Sequence, residues 1–131
     1  PPAFFADKLM PNTFFPVPKP LKSVSTVFEL KDRLDWGEPA LTIIDVRERS
    51  LFNESRISGS ISMPMDELVA RASVSLESER DIYVYGGTND ATASAATKLR
   101  EAGYENVAEL TGGLGAWQAA SGATEGRLVV A

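Results

Sequence analysis

Residues 81–103, DIYVYGGTNDATASAATKLREAG, constrain the fold of this chain more than any other stretch. Asp81 opens a run of Ile82, Tyr83, Val84 and Tyr85, β-branched and aromatic with no polar break. A strand covered on both faces reads this way, because neither side is left to water. Gly86, Gly87, Thr88, Asn89 and Asp90 follow, all residues of turns and helix caps. From Ala91 to Ala102 the composition is helical, with Ala91, Ala95, Leu99 and Ala102 on one stripe. Gly103 is placed to stop that helix in the left-handed conformation. The unit is strand, tight glycine loop, helix. In an open α/β sheet it sets loop amides and a helix N-terminus at the carboxyl end of a strand, where ligands usually bind.

The same alternation continues on both sides. Lys22 to Ser25 read as a short strand, and Thr26-Val27-Phe28-Glu29 as a capping box. That box opens a helix to about Asp35, with Val27, Leu30 and Leu34 on one face. Leu41 to Val46 form the next strand, followed by a short helix over Arg49 to Asn53 and a turn at Ser58-Gly59-Ser60. Ile61 to Met63 are extended, Pro64 ends them, and a helix begins near Asp66. Polar residues 73–80 connect to the central strand. Asn106 to Leu110 give the last strand, and Gly112-Gly113 turns into a final helix whose Trp117 belongs to the core. Strands and helices in alternation, joined by short connections, predict a three-layer α/β domain. Its sheet is mainly parallel and five-stranded, with helices on both faces.

With 131 residues the chain is long enough for one domain with a real core, assigned to residues 22–131. Residues 1–21 differ. They hold six of the eight prolines and four of the six phenylalanines, which predicts an extended arm. Its pairs Phe4-Phe5 and Phe14-Phe15 are expected to be covered by the domain or by a second copy. A protein partner is expected through this arm, for a monomer or a homodimer. No run of about eighteen apolar residues occurs, so no membrane span is expected, and a cytoplasmic location is assigned. A net charge of −5 with no basic block argues against nucleic acid. The chain has neither cysteine nor histidine, which excludes disulfides and thiolate metal sites and leaves no zinc ligands of the usual kind. No metal and no cofactor are expected.

Four elements, in order and at matching spacings, resemble rhodanese-like domains, the sulfurtransferase fold. The first is the 81–103 segment. Ile43-Ile44-Asp45-Val46-Arg47-Glu48 is similar to that family's strand-ending DVRE signature. Arg56-Ile57-Ser58-Gly59-Ser60-Ile61-Ser62-Met63-Pro64 stands where the family has its GHI-x-GA-x-N-x-P turn, with Arg56 at the usual histidine position. Leu110-Thr111-Gly112-Gly113-Leu114-Gly115-Ala116-Trp117 is similar to the closing L-x-GG-x-x-x-W element. The likeness covers roughly residues 22–121.

That resemblance implies a cysteine at the end of the central strand, an anion cradle of loop amides, and an arginine closing the loop. Counted back without gaps from Ala102-Gly103-Tyr104, the cysteine position is Gly86 and the arginine position Ala91. Sulfur transfer needs a thiolate to attack the donor and hold a persulfide, and glycine supplies none. Thr88 and Thr92 offer only hydroxyls, which are poor nucleophiles without an adjacent base. Designed inactivation would change the cysteine and leave the arginine, so the double loss reads as natural. No catalytic residue is assigned. The degenerate loop Gly86, Gly87, Thr88, Asn89, Asp90, Ala91 and Thr92 is the candidate anion-binding site, and Asp90 at the helix cap would fill it from within, or Asn89 if the helix begins one residue earlier. The sequence thus points to a catalytically inactive domain with a binding or regulatory role. Alternatives are an anion-sensing module, or an enzyme component whose thiol comes from a partner. Asp45 is expected to accept loop amides and Arg47 to pair with a carboxylate.

Overall fold

The computed structural model describes residues 21–37 and 40–127, so the arm assigned to 1–21 lies outside the described residues except for Leu21. Asp81–Tyr85, labelled β5, is the middle strand of five. Val107–Leu110 (β6) and then Val24–Ser25 (β1) lie to one side, and Leu41–Asp45 (β2) and then Ile61–Ser62 (β4) to the other. Every neighbouring pair is parallel. The helices are α1 (Val27–Asp35), α2 (Arg49–Glu54), α3 (Leu68–Ser75), α4 (Asn89–Glu101) and α5 (Gly113–Ala119). The expected three-layer architecture is the one observed.

Its position in the sheet explains the composition of β5. Ile82 and Val84 share a core cluster with Leu68 and Ala72 of α3 and with Ala95, Ala96 and Leu99 of α4. Tyr83 and Tyr85 join the opposite cluster, with Val27 and Leu30 of α1 and Trp117 of α5. Successive strand side chains point to opposite faces, and both faces here are covered. Each such side chain contributes roughly 1.5–3 kcal/mol relative to exposure.

Local chemistry sets the helix ends. Thr26 Oγ1 accepts the Glu29 amide at 3.2 Å while Glu29 Oε1 accepts the Thr26 amide at 2.9 Å, the expected capping box of α1. At the end of α4, Gly103 takes φ +102. The Tyr104 amide reaches the Leu99 carbonyl and the Gly103 amide the Arg100 carbonyl, 3.1 and 3.0 Å, closing a Schellman turn over a shared Leu99/Tyr104 cluster.

Three boundaries differ from the sequence reading. α4 begins at Asn89 and buries Thr92, Ala95, Ala96 and Leu99, whereas Ala102 is exposed. Its inward stripe keeps Ala95 and Leu99 but is turned toward Thr92 and Ala96. α3 runs on to Ser75, where the exposed Ser73 and Ser75 hydroxyls donate back to the carbonyls of Ala70 and Arg71 within the helix. Arg56–Ile57 (β3) pairs antiparallel with Thr124–Glu125 (β7), a second small sheet absent from the sequence reading. No helix of the described residues is long and apolar enough to cross a membrane.

Candidate functional site

β5 ends at Tyr85 and α4 starts at Asn89, so Gly86, Gly87 and Thr88 make the whole turn. The cap is Thr88. It takes an extended conformation, φ −137 and ψ 162, and its hydroxyl accepts the Ala91 amide at 3.1 Å. The expectation that Asp90 or Asn89 caps α4 is thus corrected. Asn89 is drawn elsewhere: its Oδ1 accepts the Gly112 amide at 3.0 Å, tying the loop to the turn before α5. Asp90 lies exposed in the first helical turn, where a carboxylate is favoured by the helix dipole but takes none of the loop amides.

Thr92 organises the loop from inside. Its Oγ1 accepts the Gly86 amide at 2.8 Å and donates to the Thr88 carbonyl at 3.0 Å. Buried to 2% exposure and committed in both directions, that hydroxyl cannot act as a nucleophile. The amides of Gly87, Thr88, Asn89 and Asp90 have no partner among the described residues. Beside them lies a half-open hollow of about 240 Å³, lined by Gly86, Gly87, Thr88, Asn89, Gly112 and Gly113. Sequence reasoning took Gly112-Gly113 only as a turn. Two adjacent parallel strands place their following loops at the same sheet edge, which is the signal that brings 112–113 to the site.

Gly86 sits in a tight place. A Cβ there would lie 3.1 Å from Ala91 Cβ and 3.2 Å from Val46 Cγ2.

Behind the loop is a buried polar frame. The Asp45 carboxylate, with no exposed surface, accepts the Arg47 amide at 2.9 Å and the Arg47 guanidinium at 2.7–3.1 Å. Arg47 also donates to the Ser55 carbonyl and lies 5.6 Å from the Tyr85 ring centroid. Burial works against the Arg47 charge, but its pairing with Asp45 outweighs this and raises it above the usual range. Tyr85 Oη accepts the Ile57 amide at 3.1 Å and lies 3.4 Å from Ser60 Oγ. Burial pushes the Tyr85 phenol up to about 12. Asp45 and Arg47 thus satisfy each other, the structural role expected of them. Arg56 stacks on Phe52 at 4.6 Å and faces Glu125.

The family model for the rhodanese-like domain matches residues 26–120. The chain belongs to the rhodanese-like family. This rhodanese-like domain is similar to the crystal structure of the Alr3790 protein from Anabaena sp., at 55% identity over 80% of this chain and 94% of that one, with a TM-score of 0.77. It is also similar to a thiosulfate sulfurtransferase from Pseudomonas aeruginosa, at 25% identity over 79% of this chain and 20% of that one, TM-score 0.69. A Bacillus subtilis (strain 168) protein named as a sulfur carrier, YrkF, is 28% identical over 87 residues. The chain spans 46% of the length of that relative. Against the family's chemistry, this rhodanese-like domain has no cysteine at any position.

Proposed function

We propose that this rhodanese-like domain is catalytically inactive and works by binding, in a regulatory or interaction role. The observation that carries this reading is Gly86 at the thiol position of a chain without cysteine, with Ala91 where the closing arginine would stand. The binding element is the loop from Gly86 to Thr92. Its free amides at Gly87, Thr88, Asn89 and Asp90, beside a hollow that Asp90 does not fill, favour a small anion or an acidic peptide as the ligand. A protein partner presenting such a group fits this role.

The test is a thiosulfate:cyanide sulfurtransferase assay on cysteine-free, metal-free protein. Thiocyanate at the level of a protein-free blank is expected, and turnover would overturn the reading. The sulfur-carrier name of the Bacillus relative supports one alternative, in which a partner lends the thiol. Turnover that appears only when a persulfide-bearing protein is added would favour it. Titration with sulfate or phosphate, followed by NMR at the four loop amides, reads the binding role directly.

A further inference from the structure

We propose that residues 122–127 act as an internal ligand, in a seat that also takes an extended acidic peptide from a partner. The seat shares no residue with the glycine loop. After α5 the chain turns through Ser121 at φ +62, in the left-handed region that a side chain disfavours. It then runs antiparallel to β3 as β7. The Ala123 carbonyl accepts both the Trp117 indole N–H at 2.7 Å and the Ser58 amide at 3.0 Å. Glu125 lies 3.6 Å from the Arg56 guanidinium and accepts the Gly59 amide at 3.3 Å. The Arg127 amide closes the far end on the Asn53 carbonyl at 2.9 Å.

These are the contacts by which an extended peptide adds to a strand edge, with main-chain hydrogen bonds for affinity and a few side-chain positions for choice. Residues 123–127 are exposed and Gly122 is half-buried. The segment is therefore held by hydrogen bonds and the Arg56–Glu125 pair rather than by apolar burial, as befits a segment that opens ahead of its domain. The seat has its own support. Ile57 has no exposed surface and donates its amide to Tyr85 Oη, and Arg47 holds the Ser55 carbonyl. With 122–127 lifted away, β3 stays in place and presents the Ser58 and Gly59 amides, the Arg56 guanidinium and the face of Trp117. The fit specifies the occupant. A Cβ at Gly122 would overlap the Trp117 indole, and one at Gly126 the Glu54 carbonyl, so both positions exclude side chains. Between them, three residues after the first, stands the carboxylate that meets Arg56 and Gly59. The peptide that fits is extended, with an acidic residue followed directly by glycine.

Trp117 supplies the readout once the other tryptophan is removed, so the full chain carries Trp36→Phe as the reference. In that background Gly126→Ala drives a methyl against the Glu54 carbonyl and lifts the segment. Acrylamide quenching of Trp117 is expected to rise severalfold, with urea unfolding still a single transition close to that of the reference. A free peptide of residues 120–127 is then added at millimolar concentration, the order of effective concentration that a short tether supplies. It should restore the shielding, whereas the same peptide with Glu125→Lys should not. Quenching equal to the reference would overturn the proposal, and so would global unfolding of Gly126→Ala, which would make the segment part of the core. Failure of the first peptide, or equal shielding by both, would overturn it too.

Discussion

The Gly86 amide and the Thr92 hydroxyl meet at 2.8 Å inside the loop that joins β5 to α4. Six residues separate them, and this bond sets how the chain leaves the central strand. Replacing Thr92 with valine keeps the shape but leaves a buried amide without an acceptor. The cost is the desolvation of that amide, about 1–3 kcal/mol. Thr92→Ser retains the acceptor and should stay close to the parent. Urea unfolding of the two variants checks this, and equal losses in both would sink it.

Tyr85 makes the alkaline limb of stability informative. Its phenol is raised from 10.0 to about 12, so its contribution is complete below pH 10 and is lost as pH rises through the folded value. Between those values the unfolded chain releases this proton and the folded chain keeps it, so stability falls by roughly 1.4 kcal/mol per pH unit from this group. Tyr85→Phe is expected to be less stable at neutral pH, because the Ile57 amide loses its acceptor. Its stability should also fall less steeply above pH 10. Denaturant midpoints across that range measure the difference, and parallel curves for parent and variant would refute it.

Asp45 and Arg47 form a pair whose halves are not separable. Asp45→Ala leaves a largely buried guanidinium without its carboxylate, at a cost of about 3–5 kcal/mol. The double variant Asp45→Ala/Arg47→Met removes both charges and should recover much of that loss. Chemical denaturation of the two single variants and the double closes the cycle. Strictly additive losses would show that the pair is not coupled.

Restoring a thiol alone should restore little chemistry. Gly86→Cys gains the helix N-terminus, which favours a thiolate, but Asp90 in the first turn opposes it and repels an anionic donor. Combining Gly86→Cys with Asp90→Gly and Ala91→Arg removes the acid and supplies a guanidinium fork for the donor's oxygens. The triple variant is expected to exceed the single in the thiosulfate:cyanide assay. Equal rates would show that Asp90 has no influence on the loop.

What the sequence disclosed depended on how local the cause was. The Thr26/Glu29 box and the Gly103 stop lie within a few residues of what they satisfy, and both stand as read. The β5 run was legible because burial on two faces leaves a composition that only a central strand needs. The cap of α4 was not. Thr88, Asn89 and Asp90 all suit the role by type, and the choice is made by Gly112, more than twenty residues on, whose amide takes the Asn89 side chain. β3 and β7 were hidden for the same reason, since a two-residue pairing between segments far apart leaves no periodicity in either.

The 3.1 Å from a Cβ at position 86 to Ala91 limits what this loop can accept. With glycine there, Val46 and the first turn of α4 stand close enough that any larger residue would have to push them back by a few tenths of an ångström. That turn is pinned by Thr88, Asn89 and Thr92, so it does not yield freely. Position 86 is therefore coupled to its surroundings, and a side chain enters there only if Val46 and the first turn of α4 give way first.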